Sequence, residues 1–195
     1  MKSKLMAIVV ALLGSMASAA NPPMLKIGEK APDFNLPGVD GKNYSLKDFA
    51  DAKLLVIIFT CNHCPTAQAY EQRIIKLHED YKDKGMALVA ISPNDPTAVR
   101  LDELGYTDLS DSFEEMKTRA RERGYKFPYL YDGETQSTAK AYGVVATPHV
   151  YIFDQDRALR YVGRIDDSEV KTVTSQDARN ATTTSRASNS HCATR

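Results

Sequence analysis

The chain has 195 residues, with 25 Lys and Arg against 25 Asp and Glu, a balance that excludes the basic field of a nucleic-acid-binding protein. Three cysteines are too few for a disulfide scaffold, and in an exported chain a close pair among them points to reactive or metal-binding thiols. About 175 residues would remain after removal of a leader, enough for one domain whose core needs no covalent staple.

Lys2 and Lys4, an apolar run from Leu5 to Leu13 and the small residues Ala17-Ser18-Ala19 read as a cleavable secretory signal over residues 1–19. The run is too short to span a bilayer as a helix, which takes about 20 apolar residues. No stable membrane span is therefore expected after cleavage, and the mature protein is expected in the periplasm or secreted. Its charge would be 23 basic against 25 acidic residues.

The domain proper is expected over residues 25–167. Ala31-Pro32-Asp33-Phe34-Asn35-Leu36 and Lys42-Asn43-Tyr44 flank a turn at Asp40-Gly41 and predict a β-hairpin. Ser45 with Asp48 can start a short helix. Leu54 to Phe59 is an uninterrupted apolar run, which suits a strand buried on both faces. Cys61-Asn62-His63-Cys64-Pro65 follows directly.

Tyr70, Ile74, Leu77 and Tyr81 recur at helical spacing, so a helix is predicted from about Asn62 to Lys84, capped by Gly85. Pro65 falls in its first turn, where proline is tolerated. On that register Cys61 meets the unpaired N–H groups and positive dipole end of the helix, which predicts an exposed, nucleophilic thiolate. Cys64, one turn further in, would resolve a mixed disulfide formed at Cys61.

Met86 to Ile91 reads as a second buried strand, giving a right-handed parallel β-α-β unit. Residues 92–111 carry prolines, glycine and several aspartates and read as a long inserted loop. Ser112 and Glu115 form a capping box for a helix ending at Gly124, with Lys117, Arg119, Arg121 and Arg123 expected on a solvated face. Pro128 to Tyr131 predicts a short strand and Thr135 to Tyr142 a helix stopped by Gly143. Val150 to Phe153 and Leu159 to Val162 predict an antiparallel pair joined at Asp154 to Arg157. Residues 168–195 form an atypical tail: Ser175 to Ala181 begins like a helix, but the Ser/Thr/Asn-rich end offers nothing apolar to pack and is expected to be disordered. The apolar cover ends there as if the chain were truncated or read in another frame, which predicts exposed sheet surface.

Ala31-Pro32-Asp33-Phe34, Cys61-Asn62-His63-Cys64 between strand and helix, and Thr147-Pro148 before a strand, in this order, resemble the thioredoxin superfamily. The closest match in pattern is its exported redoxin (AhpC/TSA-related) or TlpA-like branch. The resemblance implies an α/β thioredoxin-like fold, a central mixed sheet flanked by helices, here with an N-terminal hairpin extension and an inserted loop. It implies a thiol:disulfide oxidoreductase that cycles a Cys61–Cys64 disulfide without an organic cofactor. It also implies a cis peptide at Thr147-Pro148 that positions an extended substrate chain. The expected partners are thiol- or disulfide-containing proteins and a separate electron donor or acceptor. His63 before the second cysteine is similar to the Cys-Pro-His-Cys motif of DsbA-type oxidases, which implies that it stabilises the Cys61 thiolate and makes the pair comparatively oxidising. Two departures stand out: Thr60 replaces the tryptophan of thioredoxins, and Leu55 occupies the place of their buried acid.

Two other readings use the same residues. Phe59-Thr60-Cys61 and Cys64-Pro65-Thr66 are similar to the cysteine loop of Sco-type copper chaperones, in which Cys61, Cys64 and His149 would bind copper through two soft thiolates and an imidazole. The Ala-Pro-Asp-Phe pattern also occurs in peroxiredoxins, thiol-dependent peroxidases. Their threonine and proline before the peroxidatic cysteine are replaced here by Ile58 and Leu54 counted from Cys61, or by Cys61 and Ile57 counted from Cys64.

Overall fold

The computed structural model describes residues 23–98 and 109–166. The expected signal segment and the expected disordered tail lie outside the described residues. A hairpin of β1 (Asn35–Pro37) and β2 (Asn43–Ser45) opens the fold. A five-stranded sheet follows, built from β3 (Leu54–Phe59), β4 (Met86–Ser92), β5 (Tyr129–Tyr131), β6 (His149–Phe153) and β7 (Leu159–Gly163), with α1 (Pro65–Tyr81), α2 (Phe113–Arg123) and α3 (Ser137–Tyr142) packed on it. The strand order is β5-β4-β3-β6-β7.

β3 is central. It pairs in parallel with β4, Phe59 opposite Ile91, and antiparallel with β6, Phe59 opposite His149. Its side chains alternate between two cores, as the pleat of a strand requires. Val56 and Ile58 join Tyr70, Ile74 and Leu77 of α1 and Met116 of α2, whereas Leu55, Ile57 and Phe59 join Phe34, Leu36, Phe49 and Tyr142 on the opposite face. Burial on both faces explains why the strand carries no polar residue. At one edge of the sheet, Val39 donates to the Tyr129 carbonyl (3.0 Å) and Gly38 bridges to Leu130, so the hairpin turn covers β5.

The predicted strands and helices are present in their predicted order, and the fold is a mixed α/β sheet with a hairpin extension. Two expectations need correction. Helix α1 begins at Pro65 rather than Asn62, because a residue preceding proline is driven out of the α region. Cys64 is accordingly extended (φ −69°, ψ 120°) and occupies the N-cap. Arg119 does not lie on a solvated face: it is buried, and its Nε donates to Glu71 Oε1 at 2.6 Å. Glu71 also accepts from Tyr125 Oη (3.0 Å) and pairs with Arg123 (3.1 Å), tying α2 to α1.

Candidate active site

The C-terminal end of β3 and the start of α1 hold both cysteines. Thr60 continues the β4 pairing through its N–H to the Ile91 carbonyl (2.9 Å), after which the chain turns inward. Cys61 is buried, with 3% of its surface exposed. Cys64 is half-buried, and both residues are free thiols. The expectation that Cys61 presents the exposed sulfur is therefore reversed. The proline rule decides it: Pro65 forces Cys64 to be the N-cap, so Cys64 meets the helix N–H groups and Cys61 lies a further turn of chain back, under the surface.

The electrostatics follow that placement. Cys64 accepts a hydrogen bond from the Cys61 thiol and, although burial opposes it, further bonds from the N–H groups of Ala67 and Thr66 and the Thr66 hydroxyl; its pKa falls to about 5. Cys61 is held above the ordinary thiol range by that same bond to Cys64, by burial and by the nearby Asp111 carboxylate, with partial relief from the Thr147 hydroxyl. Their mutual bond thus lowers the pKa of Cys64 and raises that of Cys61.

Thr147-Pro148 is a cis peptide, and it faces the cysteines. The Thr147 hydroxyl lies 3.2 Å from Cys61 Sγ, and Cys64 Sγ lies 3.8 Å from the Thr147 carbonyl oxygen. Both thiols thus address one residue of the turn before β6. Val145, two residues earlier in the chain, is an apolar side chain with 67% of its surface exposed.

A residue with no local sequence signal completes the site. Asp111, at the end of the inserted segment, is fully buried. Its Oδ1 accepts from the N–H groups of Asn62 (2.7 Å) and His63 (3.2 Å). Its Oδ2 is 2.5 Å from His63 Nδ1 and accepts from Asn94 Nδ2 at 2.8 Å. Asn62 is buried as well, its amide donating to the Ser110 carbonyl (2.8 Å) and accepting from Tyr129 Oη (3.2 Å). Asn94, Ser110 and Asp111 therefore wall the cysteine loop. Nothing in the order of residues 92–111 marks Asp111 out from the other aspartates there.

His63 turns its ring to Asp111. Ligand atoms of Cys61, His63 and Asp111 lie within 4.8 Å of one another, a sulfur, nitrogen and oxygen set of the kind that binds transition metals. His149 is not in that set: it is buried, beside the Tyr151 ring at a centroid distance of 4.8 Å, with Nδ1 3.4 Å from Tyr151 Oη. The grouping of Cys61, Cys64 and His149 expected for a copper site is thus not the cluster of ligand atoms found among the described residues. Leu55 is fully buried in the apolar core.

Comparison with known proteins bears on this geometry. The AhpC/TSA family model matches residues 27–162. A thiol-disulfide oxidoreductase ResA from Bacillus thuringiensis is 26% identical over 132 residues, 68% of this chain and 66% of that protein, so the chain spans just under two thirds of that relative's length. A peroxiredoxin-named protein from Mycobacterium tuberculosis is 32% identical over 141 residues, 63% of this chain and 88% of that one. The crystal structure of an uncharacterized conserved protein from Geobacillus kaustophilus aligns with a TM-score of 0.71 at 42% identity, covering 80% of this chain and 79% of that one. The thioredoxin domain of a Bacteroides vulgatus thiol-disulfide oxidoreductase aligns with a TM-score of 0.58 at 19% identity over 73% of this chain and 91% of that one, which shows the thioredoxin-like fold alone.

Proposed function

The chain belongs to the AhpC/TSA family, and on that premise we propose that it is an exported thiol:disulfide oxidoreductase that exchanges disulfides with partner proteins through Cys61 and Cys64. The observation that carries the proposal is the pair of free thiols set against the cis Thr147-Pro148 turn, at 3.2 Å and 3.8 Å from Thr147 oxygens. In the reductive direction the Cys64 thiolate attacks a partner disulfide, forming a mixed disulfide and expelling one partner thiolate. Cys61 then loses its proton and attacks Cys64, closing the Cys61–Cys64 disulfide and releasing the second partner thiolate. Reversal of both steps oxidises a partner dithiol. The order of attack departs from the one expected from sequence, because Cys64 is the less buried sulfur and the one whose pKa is lowered.

The turn before β6 would receive the substrate chain, with Thr147 offering its backbone groups and Val145 an apolar contact. Export is supported by the basic and apolar leader ending at Ala17-Ser18-Ala19, and no helix among the described residues is long and apolar enough to cross a membrane. A second reading, thiol-dependent peroxide reduction, is favoured by the likeness to the peroxiredoxin-named relative. In that reading the Cys64 thiolate attacks a peroxide oxygen, the O–O bond breaks with release of water or alcohol, and Cys61 condenses with the resulting Cys64 sulfenic acid to close the disulfide and release water.

Paired trapping variants test the proposal. Cys61→Ser, expressed with its leader, is expected to accumulate mixed disulfides with exported proteins on Cys64, and Cys64→Ser to accumulate far fewer. No adducts from either variant, together with peroxide consumption by the reduced wild type far above that of free cysteine, would replace exchange by the peroxidase reading.

A further inference from the structure

The exchange steps involve only the two sulfurs and the Thr147-Pro148 turn, yet the fold also brings an imidazole and a carboxylate to Cys61. One ligand atom each from Cys61, His63 and Asp111 lies within 4.8 Å of the other two, and Cys61 and Asp111 are buried, with 3% and 0% exposure. A zinc ion with arms of about 2.0–2.3 Å at tetrahedral angles holds its ligand atoms about 3.3–3.8 Å apart. Small shifts of the side chains therefore close the set around one ion. His63 Nδ1 and Asp111 Oδ2 stand nearer than that, at 2.5 Å, and an ion bound through that nitrogen takes the place of the hydrogen between them. The ligands are braced from behind: Asp111 Oδ1 accepts the Asn62 and His63 N–H groups, Oδ2 accepts Asn94 Nδ2, and the Thr147 hydroxyl lies 3.2 Å from Cys61 Sγ. Outer bonds of this kind fix ligand orientation in metal sites. The His63 side chain, 18% exposed, gives the ion a way in from solvent.

We propose that the reduced protein binds one zinc(II) ion through the Cys61 sulfur, a His63 ring nitrogen and an Asp111 carboxylate oxygen. The donor set selects the ion. Calcium and magnesium call for oxygen ligands and copper(I) for soft sulfur ligands, whereas zinc takes thiolate, imidazole and carboxylate together. One thiolate and one carboxylate balance the two charges of the ion. Three protein ligands leave the fourth tetrahedral position to water or an incoming sulfur. Binding exchanges the Cys61 S–H bond for a sulfur–metal bond and releases the proton to solvent. The site differs from the copper set expected from sequence in using His63 and Asp111, while His149 packs on Tyr151. One consequence rests on the disulfide-exchange reading: the ion locks the dithiol form, because a Cys61 sulfur held by the metal is not free to attack Cys64. Release of the ion returns that sulfur to the exchange steps.

Cobalt(II) is the probe, titrated without oxygen into the reduced full chain in a Cys192→Ser background, which removes the third thiol. One equivalent should give thiolate-to-cobalt charge-transfer absorption and the intense visible bands of a four-coordinate ion, and one equivalent of zinc should abolish both. Cys61→Ser should lose the charge-transfer band. His63→Ala and Asp111→Asn should each weaken binding at least about ten-fold, and His149→Gln should leave it unchanged. No charge-transfer band in the wild type, or binding that survives His63→Ala and is lost in His149→Gln, would overturn the proposal. His63 is partly exposed, so its variant tests the site even where Asp111→Asn disturbs the cysteine loop. The lock is read separately, from thiol release by 5,5′-dithiobis(2-nitrobenzoate), in which attack by Cys64 liberates the first chromophore and closure by Cys61 the second. One equivalent of zinc should slow the second release at least about ten-fold in the wild type and leave it unchanged in His63→Ala; a second release indifferent to bound zinc would overturn the lock. Trapping variants that capture no partner would remove the exchange reading while the cobalt bands still report the site, so the two fail separately.

Discussion

Asp111 Oδ1 accepts the N–H of Asn62 at 2.7 Å across a separation of 49 residues. That bond fastens the inserted segment to the cysteine loop and brings a buried carboxylate against Cys61, which the linear chain gives no reason to expect. The Asp111 charge adds to the Cys61–Cys64 bond and to burial in making the two sulfurs unequal.

The inequality can be read from alkylation. Only the thiolate reacts, and an ordinary exposed cysteine ionises near 8.5. Cys64, lowered to about 5, should be alkylated by iodoacetamide at a rate that rises through about pH 5 and is level by about pH 7. Cys61, raised by its bond to Cys64 and by burial, should remain unmodified over the same range. Peptide mapping of the labelled protein checks both; a profile rising only through the ordinary thiol range at Cys64 would remove the basis of the proposed mechanism.

A thiolate stabilised in the dithiol form makes that form more favourable and the disulfide a better oxidant. Equilibration with glutathione buffers should give a potential less negative than the about −270 mV of thioredoxin. Thr66→Ala, which removes one hydroxyl bond to Cys64, should move it towards more negative values.

Glu71 is buried between Arg119, Arg123 and Tyr125. Glu71→Ala would strand the Arg119 guanidinium inside the protein, and breaking a buried pair in this way costs about 3–5 kcal/mol. Urea unfolding should show that loss.

Acid should weaken the fold through two histidines. Burial lowers the pKa of His149 and of His78 in the folded protein, and the unfolded chain restores both to about 6.5. The unfolded state therefore binds more protons below about pH 6.5, so stability is intact above that value and declines as the pH falls beneath it. Unfolding free energies measured at about pH 7.5 and about pH 5.5 should differ accordingly, with a smaller difference in His149→Gln.

Gly133 gives a test of the support around Asp111. A Cβ there would stand 2.2 Å from the Asn94 carbonyl oxygen and 2.5 Å from the Tyr131 ring, and the Asn94 side chain is one of the donors to Asp111. Gly133→Ala should displace the Asn94 backbone and cost about 1–3 kcal/mol of stability. Thermal unfolding reads the loss, and slowed closure of the Cys61–Cys64 disulfide would show its effect on the site.

Taken by itself, the sequence determined the order of strands and helices, because apolar periodicity, glycine caps and the Ser112 capping box are local features that act through neighbouring residues. It also marked the residues that meet at the turn, Cys61, Cys64, Thr147 and Pro148, through short motifs whose spacing carries the chemistry. Pro65 places Cys64 at the N-cap by a local rule, but tertiary structure alone decided that Cys61 is the buried sulfur, since that depends on how the loop is walled in. It alone supplied Asp111, and it alone turned Arg119 inward to Glu71, because a charge is assigned to surface or interior by partners far away in the chain, and no local pattern records them.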